Sequence, residues 1–354
     1  MADLPESGQS SGTWGDGLNE FLRTVVVNVQ DYNADPTGVA DSTSAIQNAI
    51  NNVAAKRGVV FIPQGTYIVN AAIAVKSNII LRGAGAGSIL KKKNQSGTFP
   101  VISNGGGAVN NAIIENLRID GNKSQQTEVA SGNEGINLAS GATDNKIQNV
   151  WVENTMNTGI NCGGARNNIV NCVIKNIGTS GGASSAKSGI VMASSALRAN
   201  VSGNVLSGIR EFGIYLKNGA SYSVISGNRL NGCQSGGIYV QGSTYVVIEG
   251  NALESSTAWG ILVGNSGGVS SDASTGCNIS YNTITGTTGS PGHGIYLNQG
   301  SKHVVSGNIS NSNSGTGINL TSIGSTNVTA NIVIGNVVAK TISTGNIDKS
   351  NIIA

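Results

Sequence analysis

Gly213-Ile214-Tyr215-Leu216-Lys217 decides the fold, because its Gly-Ile-x-apolar pattern returns at Gly237-Ile238-Tyr239-Val240, 24 residues later. The pattern begins eight times, at Gly135, Gly159, Gly189, Gly213, Gly237, Gly260, Gly294 and Gly317, in steps of 24, 30, 24, 24, 23, 34 and 23 residues. A recurring period in the twenties is the mark of a solenoid, in which each repeat buries its apolar face only against its neighbours. Within one copy, alternation puts Ile214 and Leu216 inside and Tyr215 and Lys217 outside.

About ten residues further on comes a second motif, apolar-x-(Gly/Asn)-Asn-x-apolar. It reads Ile225-Ser226-Gly227-Asn228-Arg229-Leu230 and again Ile248-Glu249-Gly250-Asn251-Ala252-Leu253. Asn204, Asn228, Asn251, Asn282, Asn308 and Asn331 share one position, where amides can bond from coil to coil and the backbone can turn left-handed. Earlier coils hold Leu117, Val150 and Cys172 there, so an apolar stack is expected to replace the ladder. Two strands and a short third in each coil of about 23 residues describe an all-β parallel β-helix, its coils about 4.8 Å apart. The longer steps place loops near residues 178–187 and 264–277.

The N-terminal part differs. Val25 to Val29 is a β-rich run, and Asp41 or Ser42 is placed to cap a helix through about Ala55 that turns Ile46, Ala49, Ile50 and Val53 to one side. Such a helix would cover the open end of the solenoid. Residues 1–24 form an N-terminal extension, residues 25–340 the β-helix and residues 341–354 a C-terminal tail.

Composition excludes several function classes. The chain has 354 residues, a net charge of +3 and no basic stripe beyond Lys91-Lys92-Lys93, which argues against nucleic-acid binding. The four cysteines form no CxxC pair and no metal-ligand spacing with the two histidines, so neither a metal nor a cofactor is expected. Cys162 takes an interior position and reads as a small hydrophobe. No stretch is long and apolar enough to span a membrane, and no signal peptide is visible at the start.

Three segments carry a family resemblance: Asp35-Pro36-Thr37-Gly38 through Ile46, then Gly58-Val59-Val60-Phe61-Ile62-Pro63-Gln64-Gly65-Thr66-Tyr67, then Leu81-Arg82-Gly83-Ala84-Gly85. Together they closely resemble the opening of pectate-lyase-like right-handed β-helix proteins, a superfamily of polysaccharide lyases, glycoside hydrolases, uronan epimerases and phage tailspike depolymerases. The resemblance spans roughly residues 25–340. It implies a right-handed helix, a polysaccharide partner and a place on a virion or outside the cell. Trp14-Gly15-Asp16-Gly17-Leu18-Asn19-Glu20-Phe21-Leu22 looks like the start of phage virion proteins, which implies contacts with other virion proteins. Tailspikes of this class are usually homotrimers, although the stretch after Val338 is too short for a separate trimerisation domain.

Candidate site residues fall into two clusters. The first lies on the Gly-Ile strands and just before them: Lys187, Arg210, Glu211, Tyr215, Lys217 and Tyr239, flanked by Trp259, His293 and Tyr296. A lyase acting on a uronate needs cations for the sugar carboxylate and a base for the C5 proton. The aromatics suit an extended sugar chain. The second cluster puts Asp120 and Glu153 one coil apart, at the separation of a retaining hydrolase, with Trp151 as a sugar platform. In polygalacturonase-like hydrolases carboxylates precede Gly-Ile strands on adjacent coils, and a Gly-His-Gly comes next. Here Gly292-His293-Gly294 lies six coils from Glu134, about 29 Å, so that assignment fails. The expected function is binding and cleavage of a bacterial surface or extracellular polysaccharide. The alternative is a non-catalytic receptor-binding or structural spike.

Overall fold

The computed structural model describes residues 25–127, 131–138, 141–179, 187–265, 273–336, 338–342 and 345–353. Within them the chain winds through three long parallel sheets, and each strand bonds to the equivalent strand of the coils before and after. The first sheet has 13 strands among the described residues, from Val26–Asn28 to Ile347–Lys349. The second also has 13, from Thr37–Asp41 to Ile352–Ile353, and the third has 12, from Ile73–Ala74 to Val338–Ile342. This is the expected parallel β-helix, with a third strand in nearly every coil. The coil does not stop at residue 340: Ile347–Lys349 and Ile352–Ile353 take the next rung of two sheets, where a tail was expected. The N-terminal extension and most of the two expected loops lie outside the described residues. Ser274 and Thr275, from the second loop, pair with Gly300 and Ser301 as an added strand of the third sheet.

The Gly-Ile motif is explained by the interior. Ile136, Ile160, Ile190, Ile214, Ile238, Ile261, Ile295 and Ile318 lie in register, one above another, and all are fully buried. The glycine before each isoleucine also faces inward. A Cβ on Gly189 would sit 2.6 Å from Leu206 Cδ2 of the second sheet and 2.7 Å from the Gly213 carbonyl oxygen of the next coil. Only hydrogen fits where sheets and coils approach so closely.

Inward polar groups are paired along the axis. The Nδ2 of Asn204 donates to Asn228 Oδ1 at 2.9 Å, and the chain of amides runs on through Asn251, Asn282, Asn308 and Asn331 to Asn351. Each buried amide thereby has donor and acceptor satisfied. Below Asn204 the column becomes Cys172, Val150 and Leu117, all buried. A second ladder, not anticipated from sequence, occupies the corner between the third and first sheets. There Asn167 Oδ1 accepts from the Asn145 backbone N–H at 3.0 Å, and His303 Nδ1 accepts from the Cys277 N–H at 3.2 Å.

Helix α1, Thr43–Ala54, covers the N-terminal end and buries Ala45, Ile46, Ala49, Ile50 and Val53. Burying each large aliphatic side chain contributes about 1.5–3 kcal/mol. Ser42 holds the N-cap position, but it is Asp41 that accepts from the Thr43 N–H, at 2.9 Å. The four cysteines are buried, and burial pushes the thiols of Cys162, Cys172 and Cys233 up to about 12. They are interior hydrophobes. No helix among the described residues is long and apolar enough to cross a membrane.

Candidate functional site

The third sheet carries the first cluster on its outer face. Tyr215 and Tyr239 are in register, with ring centroids 4.8 Å apart and planes 10° from parallel. Phe212, which sequence reasoning missed, packs 4.8 Å from Tyr239 and 5.6 Å from Tyr215. Its ring lies over Gly236, which stands between Phe212 and Trp259 in the same column. Because Gly236 has no side chain, Phe212 and Trp259 stack across it at 6.3 Å.

This packing corrects one expectation. Tyr239 is only 2% exposed, and Val191 and Leu262 in the same column are also buried. Tyr239 therefore supports the face, while Tyr215, Trp259 and Tyr296 keep part of their surface open. Lys217 Nζ lies 5.5 Å from the Tyr215 ring centre, and Tyr215 Oη donates to Gln241. Further along, His293 is in register with Trp259 and lies 5.1 Å from Tyr296. Its Nδ1 accepts from the Thr316 N–H at 3.0 Å, and Nε2 meets the Asn319 amide at 3.1 Å. Desolvation lowers its pKa, so the ring is held neutral.

Glu211 stands at the edge of these aromatics. Its Oε2 accepts from the Lys187 backbone N–H at 3.0 Å and from Ser188 Oγ at 3.5 Å. Burial raises its pKa above the ordinary carboxylate value, with those bonds and the charges of Lys187 and Lys217 opposing. Lys187, expected among the cations for the sugar carboxylate, is placed differently. The Lys187 side chain is 3% exposed and turns its Nζ to the carbonyl and hydroxyl of Thr179, at 3.2 and 3.3 Å. Arg210 is exposed and donates to Gln234.

The second cluster is rearranged more deeply. Asp120 and Glu153 are in register as expected. Yet Glu153 is 2% exposed and clamped, by Arg118 on one oxygen and by Lys175 Nζ at 2.9 Å on the other. A carboxylate with both oxygens taken by cations is neither an available nucleophile nor a proton donor, so the paired-carboxylate reading falls. Trp151 lies half-buried beside this clamp, in register with Arg118.

Asp120 belongs instead to a cleft of about 640 Å³ beside the second sheet. Its Oδ1 accepts from Asn154 Nδ2 at 3.1 Å, and Asn154 Oδ1 accepts from Asn176 Nδ2 at 2.6 Å. Asn176 Oδ1 accepts from Lys123 Nζ at 2.6 Å, and Lys123 also donates to the Gly178 carbonyl at 2.9 Å. Gly178 and Thr179 form the cleft's far wall, and Thr179 is the residue that Lys187 grips. The two expected clusters thus meet at one turn between the second and third sheets. No three His, Cys, Asp or Glu side chains gather to hold a metal ion among the described residues.

Residues 26–239, more than half of the chain, match the family described as rhamnogalacturonase A/epimerase, pectate lyase-like. The chain belongs to that family. Residues 188–352 match the right-handed β-helix region, which gives the hand of the coil. A mannuronan C5-epimerase of Azotobacter vinelandii, AlgE3, is 34% identical over 117 residues, covering 30% of this chain and 6% of that protein. The A-module of the epimerase AlgE6 from the same organism superposes with a TM-score of 0.77 at 19% identity, over 92% of this chain and 99% of the module. The tailspike of Escherichia coli bacteriophage HK620, a mutant form, gives a TM-score of 0.71 at 16% identity, over 99% of this chain and 70% of the tailspike. These structural likenesses establish the fold. The membership makes this a protein of a carbohydrate-active β-helix family.

Proposed function

We propose that this β-helix binds a uronate-containing polysaccharide along its third sheet and cleaves it by β-elimination. One observation carries the reading: Glu211, a carboxyl held toward its protonated form by burial, feels the charge of Lys217, whose Nζ lies 5.5 Å from the ring centre of Tyr215, itself stacked on Tyr239. Elimination removes the proton at C5 of a uronate and returns a proton to the departing glycosidic oxygen. A carboxyl with a raised pKa is suited to the second task. Lys217 and Arg210 supply positive charge for the sugar carboxylate, whose neutralisation makes the C5 proton more acidic. Tyr215, once its Oη proton has passed from Gln241 to solvent, is the base on the same face. The glycoside-hydrolase alternative loses support because Glu153 is engaged by two cations.

The related proteins support the substrate class. Mannuronan epimerisation at C5 also begins at the C5 proton of a uronate, and the matching stretch spans 6–21% of those epimerases. A bacterial surface polysaccharide met by a virion-borne homotrimer agrees with the tailspike likeness in fold and with the Trp14–Leu22 segment. A second reading, binding without turnover, is favoured by the burial of Tyr239 and Leu262, which narrows the open part of the face. Incubation with a panel of uronate-containing capsular polysaccharides separates the three outcomes. Ultraviolet absorbance from unsaturated ends means elimination, new reducing ends without it mean hydrolysis, and retention on the polysaccharide without either means binding alone.

A further inference from the structure

The cleft beside the second sheet is not used by the third-sheet reading, and its construction calls for a ligand. Its floor is a single hydrogen-bonded chain, Asp120 to Asn154 to Asn176 to Lys123. Asn154 and Asn176 both hold left-handed backbones, with φ of 53° and 56°, and their amides are tied in place by the hydrogen bonds of this chain. A polar surface already locked in place loses little entropy when it binds. Two groups in the cleft are left open. Asp120 uses only Oδ1 in these bonds, so Oδ2 accepts from no protein donor among the described residues. Lys91, half-buried and in register with Asp120, lines the cleft yet makes no ion pair or hydrogen bond among the described residues.

We propose that this cleft is a binding site for one uronate unit of an acidic polysaccharide, with Lys91 pairing with the sugar carboxylate and Asp120 Oδ2 accepting from a ring hydroxyl. The ligand must bring an anion to a partly desolvated ammonium and a hydrogen-bond donor to a carboxylate. A sugar acid carries both a few ångströms apart. Inorganic phosphate would set a second anion against Asp120, and a neutral sugar would leave Lys91 unpaired. The volume of about 640 Å³ lies within the range of small-molecule sites. This site rests on the same substrate class as the third-sheet reading but shares none of its residues.

The test uses the full chain carrying Glu211→Gln, which silences turnover, and calorimetric titration with oligomers of glucuronate, galacturonate and mannuronate. Neutral gluco-oligosaccharides of the same length serve as comparison. At least one uronate oligomer should bind. Adding Lys91→Gln should weaken it about tenfold, the loss of one charge-assisted bond, while any weak binding of the neutral oligomers stays unchanged. Adding Asp120→Asn should weaken both kinds. Lys91 makes no ion pair or hydrogen bond among the described residues, so a variant with unchanged thermal unfolding reports on the ligand alone. Absence of binding by every uronate oligomer, or binding that ignores Lys91→Gln, overturns the proposal. Lys91-dependent binding in a wild-type protein that turns nothing over keeps this site and removes the third-sheet reading. Turnover with no role for Lys91 does the reverse.

Discussion

The outer face of the third sheet and the cleft beside the second are built from different coils of one solenoid by opposite means. The face is aromatic: Phe212, Tyr215, Tyr239 and Trp259 stack at coil spacing, and the one carboxyl among them is pushed toward its protonated form. The cleft is polar: amides, an ammonium and a carboxylate interlock, and its buried neighbour Glu153 is neutralised by two cations. Stacked identical side chains give a solenoid smooth, apolar-edged tracks. Alternating charges at one register position give a fixed polar socket. The first arrangement suits sliding contact with a polymer and proton transfer at its edge, the second the capture of one residue.

The strongest way to break this contrast is to damage one region and ask whether the other survives. Gly260→Ala drives a methyl into Ile284 and to 2.5 Å from the Gly294 carbonyl oxygen. It should cost about 3 kcal/mol in thermal or denaturant unfolding, and turnover should fall with it. Cleft binding should persist, because repeats couple mainly to their neighbours. If cleft affinity falls in step, the two regions are one unit.

Nearly as large is a pH effect beneath the late coils of the third sheet. Burial lowers the pKa of His303 to about 4. The unfolded chain takes up this proton from about pH 6.5 downward, and the folded chain only near 4. Stability is therefore complete above about pH 6.5 and lost as pH falls toward 4, by about 3 kcal/mol in all. An asparagine there can accept the Cys277 N–H as Asn167 accepts that of Asn145, so His303→Asn should flatten this part of the stability profile. An unchanged slope would mean that other groups set it.

Arg118→Met tests the clamp below the cleft. It leaves the buried Glu153 with Lys175 alone and should cost about 2 kcal/mol, while the aromatic face keeps its turnover. The smallest expected effect is Lys217→Gln, a few-fold rise in KM and a few-fold fall in kcat for a polyuronate with little change in cleft affinity, since Lys217 sits over Tyr215 and far from Asp120 in the coil order. A rise for neutral oligosaccharides as well would point to packing and not charge.

Much of the molecule was legible in the chain because a repeat writes each register position several times. The isoleucine column, the stacking of Tyr215 on Tyr239 and the ladder from Asn204 to Asn331 come from spacing alone. Asn154 and Asn176 were not singled out from the sequence, although the same spacing marks them, each just after the outward charge of its strand, Glu153 or Lys175. What periodicity does not give is depth. It says that Tyr239 and Glu153 point outward, and they do, but not that Phe212 and Tyr215 cover one or that Arg118 and Lys175 enclose the other. Nor does it join Lys123 to Asn176 and Gly178, a bridge that spans coils from a segment outside the repeat.

The claim that matters most is that Glu211 acts as the acid in uronate elimination, and one pH series on a cleaved polyuronate tests it. Ultraviolet absorbance of the unsaturated product gives kcat/KM for the wild type and for Glu211→Gln. The wild-type value should fall as pH rises through the raised pKa of Glu211, and Glu211→Gln should be slower by about 100-fold or more with that limb gone. A variant that keeps the wild-type rate and the same limb would contradict the account.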